Sequence, residues 1–351
     1  MSATVKFAVL GCGHIGKRHA DLIVKHPDAQ LVATIDSLNI ETLQISNFAV
    51  PHFNSLVDFI SSGIAADVVN ICTPNGLHAS QAVECLDSGM HVVIEKPIAI
   101  HLADAIAISN AAEKNKKLVF PVVQNRYSSA IKWLKEMISN QQLGQIYMVQ
   151  LNCFWNRDDR YYKKDGWRGT LEWDGGPLFT QFSHFIDVLL WVFGDIRNIE
   201  AKFFNFNHDH ITEFEDSGII TFDLTTEGAG SISYSTSVYQ SNFESSITVI
   251  AEKGTVKIGG QYMNSIEYCH VDGTENPKLN KEEFFNDYGS YSGSASNHHL
   301  VIDNVIKTIN GSEEQDVSLN EGILVVDIID RIYQNRNKFV GIANKSMSQI
   351  I

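Results

Sequence analysis

The stretch Val5-Lys6-Phe7-Ala8-Val9-Leu10-Gly11-Cys12-Gly13-His14-Ile15-Gly16 decides how the chain folds. Val5 to Leu10 is short, apolar and rich in β-formers, which predicts a buried strand. It runs straight into a Gly-x-Gly-x-x-Gly turn, and a helical pattern continues to about His26. That glycine spacing alone is a weak signal. Here it lies between strand and helix, and Asp36 closes the next strand (Leu31 to Ile35) 20 positions after Gly16, which together predict a dinucleotide site. Gly11 permits the tight turn, Gly13 lets the backbone approach a pyrophosphate, and Gly16 lets helix and sheet pack closely. The helix start, at His14 and Ile15, offers N–H groups and a partial positive charge to the diphosphate. Asp36 can accept hydrogen bonds from both ribose hydroxyls and repels a 2′-phosphate; neutral Ser37-Leu38-Asn39 follow it, so NAD is expected rather than NADP.

Outward from this stretch, strands and helices alternate. Ser55 to Gly63, Gly76 to Ser88 and residues 101 to 117 carry helical spacing, while Asp67 to Cys72, His91 to Ile94 and Leu118 to Val123 read as strands. The alternation predicts a parallel, doubly wound α/β sheet over residues 1–123. The pattern then changes. Ala130 to Asn140 reads as a helix, Gln145 to Phe154 as a strand, and Phe179 to Phe193 as one strong amphipathic helix. Five strand-like runs follow with few helical breaks: Ile199 to Phe206, Gly218 to Leu224, Gly230 to Val238, Ser246 to Ile258 and Ser265 to Val271. They predict an α+β second domain, residues 124–351, on an antiparallel sheet. Asp272 to Asn297 is polar and reads as a long loop, and residues 298 to 309 and 318 to 337 look helical.

A length of 351 residues suits about two domains. With 44% hydrophobic and 19% charged residues the composition is globular and excludes intrinsic disorder. The net charge of -14 repels phosphate backbones and anionic lipid, so nucleic acid and membrane surfaces are not expected as partners. No run reaches the roughly 18 apolar residues of a membrane span, and Met1 to Leu10 is too short for a signal peptide. Five cysteines without CxxC spacing point to a reducing cytoplasm and away from structural zinc.

Ligands of open α/β sheets bind beyond the C-terminal strand ends. Two segments stand there: Thr73-Pro74-Asn75, with His78 just inside the next helix, and Glu95-Lys96-Pro97. Either could be a plain turn, but a lysine between Glu95 and Pro97 has few packing reasons to be there. His184 suits a general base, although its apolar helix (Phe182, Phe185, Ile186, Leu189) equally suits a core histidine. Lys96 either hydrogen-bonds the reacting oxygen or, with its pKa lowered, is itself the base. Asp187 lies three residues after His184 and either orients a polar group or caps a surface. Between Asn156 and Arg168, the cations Arg157, Arg160, Lys163, Lys164 and Arg168 mix with Tyr161, Tyr162 and Trp167. That mixture suits a diphosphate or carboxylate and a stacked ring; Asp158, Asp159 and Asp165 make a solvated loop the competing reading. His298 and His299 could close the pocket, and with no third ligand at suitable spacing no metal is expected.

Together Gly11 to Gly16, Asp36, Thr73-Pro74-Asn75 with His78, Glu95-Lys96-Pro97, the helix with His184 and Asp187, and His298 resemble the Gfo/Idh/MocA family of sugar and cyclitol oxidoreductases. The resemblance spans essentially the whole chain. It implies a Rossmann domain, a second domain with a large open antiparallel sheet, and dimers or tetramers formed through that sheet. The family's helix carries an Asp four residues before the His; here Thr180 stands there, on one helix face with His184. Gln124-Asn125-Arg126-Tyr127, Trp167-Arg168-Gly169-Thr170, Asp174-Gly175-Gly176, Gln181 and Trp191 are similar to one branch, the UDP-N-acetylglucosaminuronate 3-dehydrogenases. The branch implies NAD-dependent oxidation of the sugar C3 hydroxyl in surface-polysaccharide synthesis, with Lys96 and His184 catalytic. It also implies that Thr73, Pro74, Asn75, His78, Glu95, Lys96, Gln124, Trp167 and Arg168 meet the cofactor. Substrate contacts are then expected from Lys96, Asn125, Arg126, Tyr127, Arg157, Arg160, Trp167, Arg168, Thr180, Gln181, His184 and His298. The competing readings are a dehydrogenase or ketoreductase of a free sugar or cyclitol, and a non-catalytic dinucleotide sensor.

Overall fold

β1 (Val5–Leu10) is buried along nearly its whole length, as an unbroken apolar run inside a parallel sheet must be. Five strands join it: β2 (Ala29–Ile35), β3 (His52–Phe53), β4 (Val68–Ile71), β5 (His91–Ile94) and β6 (Val119–Pro121). All pair in parallel, in the order β3-β2-β1-β4-β5-β6. The order reverses between β1 and β4, so the loops leaving these two strands share one crevice. The helices between strands are α1 (His14–Lys25), α2 (Ile40–Leu43), α3 (Leu56–Ser61), α4 (His78–Asp87) and α5 (Leu102–Asn115). The doubly wound sheet is thus as predicted; β3 escapes the sequence reading because two residues show no period.

This architecture comes from a computed structural model that describes residues 3–163, 166–273, 277, 285–287 and 292–337. After β6 come α6 (Ser129–Ser139), β7 (Ile146–Phe154), α7 (Pro177–Thr180) and α8 (Ser183–Phe193). The strands β8 (Ile196–Phe204), β9 (Ser217–Leu224), β10 (Ala229–Ser235), β11 (Glu244–Ala251), β12 (Gly254–Gly259) and β13 (Ser265–Val271) follow. A two-stranded ribbon, β14 (Phe285–Asp287) and β15 (Ser292–Ala295), precedes α9 (His298–Ile309), α10 (Leu319–Gln334) and β16 (Arg336–Asn337). The second sheet runs β13-β12-β11-β7-β10-β9-β8-β16 and is mainly antiparallel, with β7–β10 and β8–β16 the parallel pairs. One face of it packs Val149, Leu151, Ile220, Phe222, Ile232 and Val249 into the core. By register, Met148, Ile219, Ile250 and Tyr268 share the other face and are exposed.

Four expectations need correction. Phe179 to Phe193 is not one amphipathic helix: the chain breaks between Thr180 and Ser183, and α8 is buried on nearly every side. A helix apolar all round belongs inside. Ser246 to Ile258 is a hairpin that turns at Glu252-Lys253, not one strand. The last predicted helix stops at Gln334, and Arg336–Asn337 pair with β8. Residues 298–309, placed with the second domain by pattern, share a core with the first: Val301, Ile302, Val305 and Ile306 pack with Phe7 and Ile23. Of the predicted loop 272–297, residues 274–276, 278–284 and 288–291 lie outside the described residues.

Candidate active site

The glycine loop is built for close approach. Gly11 adopts φ +86°, and a Cβ there would press on the Cys72–Thr73 backbone at the exit of β4. A Cβ at Gly16 would collide with the Gly11 carbonyl, whereas one at Gly13 would meet nothing within 4 Å. Gly13 is the N-cap of α1 and brings no side-chain cap to its first turn. Asp36 is braced at the end of β2, accepting the Cys12 N–H at 2.7 Å and the Leu38 N–H at 2.9 Å. An open glycine, an uncapped helix start and a fixed carboxylate fit a dinucleotide diphosphate and ribose. NAD(H) should bind at least about tenfold more tightly than NADP(H) in calorimetric titration, and Asp36→Ser should narrow the gap. Equal affinities in the wild type would remove Asp36 as the discriminating group.

Beyond β5, the Lys96 ammonium donates to the Thr180 carbonyl at 2.5 Å. Burial pushes Lys96 down to about 8, Arg157 and Arg168 push the same way, and Glu95 and Asp174 oppose them. His184 is buried on α8 with Nε2 3.3 Å from the Gln124 amide nitrogen. Burial, then the Lys96 charge, hold the imidazole well below its usual range, so it is neutral. Behind them, Glu95 meets His19 at 2.9 Å and His298 at 3.5 Å, and the other His19 nitrogen meets Asn70 at 2.8 Å. Burial raises the Glu95 carboxyl, but the two histidines outweigh it and hold Glu95 well below the usual carboxylate range. His298 is thus buried with Nε2 turned towards Glu95. His19 and Glu95 also correct the expectation that His298 lacks partners with ligand atoms, since all three converge. The His19–Glu95 spacing is that of a hydrogen bond, which an ion would have to break.

Thr180 and His184 do not share a helix face, because α7 and α8 are separate. The Thr180 hydroxyl is turned instead to the Asp174 carboxylate and receives the Asn75 amide at 2.7 Å. Asn75 also donates to the Asp174 carbonyl at 2.9 Å, and the Gly76 N–H to the Trp173 carbonyl at 3.0 Å. The loop after β4 is thereby latched to the second domain. His78 is buried with Nδ1 2.7 Å from the Pro97 carbonyl and Nε2 2.8 Å from that of Thr73; its single N–H donates to one of them, and the ring stands between the two strand-end loops.

Arg126 is also reassigned. It is buried and makes two bonds to Asp187 (2.9 and 2.6 Å) and one to Glu321 (2.5 Å), leaving no free fork for a substrate. Tyr127 gives its hydroxyl to Asp316 at 2.7 Å, and Arg160 is exposed and held by Asp158; neither joins the Lys96 cluster. Asn125 is buried, and neither of its amide atoms has a hydrogen-bond partner among the described residues. In the aromatic loop Arg157 and Arg168 lie 5.0 and 4.3 Å from the Tyr161 ring centre, Arg168 lies 5.1 Å from that of Trp167, and the charges of both arginines act on Lys96. Gln181 donates to the Tyr161 hydroxyl at 3.1 Å. The Arg168 charge lowers the proton affinity of both Lys96 and His14. Lys164 and Asp165 lie outside the described residues.

Residues 5–122 match the model of an oxidoreductase family with an NAD-binding Rossmann fold, and residues 131–257 match the Gfo/Idh/MocA C-terminal domain. The WlbA dehydrogenase from Bordetella pertussis, solved with NADH and UDP-GlcNAcA, is 33% identical, covers 95% of this chain and 96% of its own, and superposes with a TM-score of 0.84. The chain belongs to the Gfo/Idh/MocA family. Two further relatives share less of the sequence. The D-glucoside 3-dehydrogenase of Escherichia coli is 27% identical over 58% of either chain. The inositol 2-dehydrogenase of Rhizobium meliloti is 24% identical over 93% of this chain and 95% of its own.

As a Gfo/Idh/MocA member the protein is an NAD-dependent dehydrogenase acting on CH–OH groups of sugars. Several residues of its site escape sequence reasoning. His19 lies inside α1 and shows its role only against Glu95, 76 residues away. The role of Asp174, named above only within the Asp174-Gly175-Gly176 motif, is equally hidden from the sequence: the residue is fully buried, with the Lys96 charge acting on its carboxyl.

Proposed function

We propose that this dehydrogenase oxidises the C3 hydroxyl of a UDP-linked N-acetylated amino sugar, UDP-N-acetylglucosaminuronate, to the 3-keto sugar in surface-polysaccharide synthesis. The observation that carries this reading is the pair of guanidinium groups, Arg157 and Arg168, packed on Tyr161 beside Lys96 in a chain of net charge -14. Two cations gathered where hydroxyl oxidation takes place favour an anionic substrate, and Arg meets carboxylate or phosphate bidentately. The likeness to a WlbA dehydrogenase bound to NADH and UDP-GlcNAcA supports the same reading.

When bound, NAD supplies the acceptor for the hydride that leaves the carbinol carbon. Gly11, Gly13 and Gly16 hold the diphosphate and Asp36 the ribose. Lys96 in its neutral amine form takes the hydroxyl proton and becomes the ammonium, and its hydrogen bond to the Thr180 carbonyl keeps the nitrogen in place. Neutral His184 orients the hydroxyl. Arg168 and Trp167 hold the sugar nucleotide. The enzyme works in the cytoplasm, in keeping with five cysteines none of which is paired. Copies associate through the exposed sheet face of Met148, Ile219, Ile250 and Tyr268.

The test is incubation with NAD and UDP-N-acetylglucosaminuronate, read by mass spectrometry for a product two hydrogens lighter. Arg168→Ala should raise the KM for this substrate by about tenfold or more, a lost charge-assisted contact being worth that much. No product, while a free glucoside or inositol is oxidised, would replace this reading with the one that the glucoside and inositol relatives favour.

A further inference from the structure

Asp174 is fully buried, and no step above uses it. It stands in the turn before α7. Its Oδ2 accepts the Gly169 N–H at 2.8 Å and its Oδ1 accepts the Thr180 hydroxyl. The Thr180 carbonyl in turn takes the Lys96 ammonium at 2.5 Å. Thr180 is thus gripped through its side chain by Asp174 and through its main chain by Lys96. A carboxylate this deep is costly unless it is hydrogen-bonded and faced by positive charge, and both conditions hold here. Asn75, from the first domain, completes the cluster by donating to the Thr180 hydroxyl oxygen and to the Asp174 carbonyl.

We propose that Asp174 is a positioning residue for proton removal by Lys96: it holds Thr180 in place through the hydroxyl, so that the Thr180 carbonyl fixes the Lys96 amino group by accepting one of its N–H bonds, and its charge acts on Lys96. The inference rests on the reading of Lys96 as the base. Lys96 is faced by Glu95 on its own loop, Asp174 from the turn before α7, Arg157 and Arg168 from the aromatic loop, and neutral His184 on α8. Asp174 is faced by Lys96, Arg168 and Tyr162. Burial raises the Asp174 carboxyl to about 6, which brings it close to Lys96 at about 8. Removing the anion leaves the ammonium less stabilised, so the Lys96 pKa falls.

The experiment compares kcat against pH for wild type, Asp174→Asn, Thr180→Val, Thr180→Ser and Lys96→Met, alongside thermal unfolding at pH 8. Asp174→Asn should shift the Lys96 limb to lower pH and reduce the plateau kcat by about tenfold or more, with KM unchanged. Thr180→Val should lose turnover to a similar degree, and Thr180→Ser should restore it. The unfolding readout is independent of activity. A carboxyl raised on folding weakens the fold as pH climbs through the window from its unfolded value to about 6, so Asp174→Asn should melt at or above wild type at pH 8. A limb that is lost in Lys96→Met but unmoved in Asp174→Asn overturns the role of Asp174 alone. So does loss of turnover with a lower melting point and an unmoved limb, which is what a purely structural residue would give. Should Asp174→Asn fail to fold, equal activity of the Thr180→Val and Thr180→Ser variants would overturn the proposal. A limb that survives in Lys96→Met overturns the reading of Lys96 as base and this inference with it.

Discussion

Lys96→Met should lower turnover by about 10²–10⁴-fold and leave NAD affinity unchanged. The reasoning turns on which of two groups can take a proton near neutral pH. His184 is buried, lies close to Lys96, and is held well below its ordinary range, so protonating it is unfavourable. Lys96 is pushed down to about 8 by its own burial and by Arg157 and Arg168. A base works best when its pKa lies near the operating pH. Lys96 must be neutral to accept the hydroxyl proton, so sugar oxidation should rise as pH passes through about 8 and level off above it. Steady-state kcat between pH 6 and 10 checks this, with NAD binding followed by fluorescence. A limb below the ordinary histidine range that disappears in His184→Ala would make His184 the base instead.

Arg126→Met should destabilise the fold by about 3–5 kcal/mol, because removing one member of a buried ion pair leaves the other uncompensated. Arg126 and Asp187 have side chains only 5% and 2% exposed, so solvent cannot replace the lost partner. The cluster joins the segment after β6, α8 and, through Glu321, the first turn of α10, and Trp191 packs 5.3 Å from the guanidinium. In the wild type burial raises the Asp187 carboxyl and Arg126 pulls it down. Without Arg126 the folded-state pKa of Asp187 climbs further. The deficit is then fully present at high pH and shrinks as pH falls through that raised value toward the unfolded ~3.9, because Asp187 takes up a proton. Urea unfolding of wild type and variant at pH 5 and pH 8 measures it, and Arg126→Met with Asp187→Leu should recover most of the loss. A deficit that is the same at both pH values would mean that Arg126 contributes packing alone.

The sequence alone determined the first domain and its cofactor loop. Their signals are local: an apolar run of strand length, glycines wherever a Cβ would collide, and an acid at the end of the next strand. Gly11, Gly16 and Asp36 act on groups within their own βα units or the strand beside them, so spacing along the chain carries their meaning. Lys96 drew notice in the same way, as a lysine with little packing reason to stand where its strand ends, and the structure sets it against the Thr180 carbonyl.

Only the tertiary structure decided which polar residues are engaged in holding the protein together. Arg126 has the composition of a substrate contact, but its partners are Asp187, 61 residues on, and Glu321, 195 residues on. His78 stands between the Thr73 and Pro97 carbonyls, and His298 turns towards Glu95, from segments far apart in the chain. Thr180 and His184, at helical spacing, part company because the chain turns between α7 and α8, and the nearest carboxylate to Thr180 comes from Asp174 before the turn. A buried charge or imidazole must find a partner, and the chain supplies that partner from any distance; spacing within one segment names the groups but not the pairs they form.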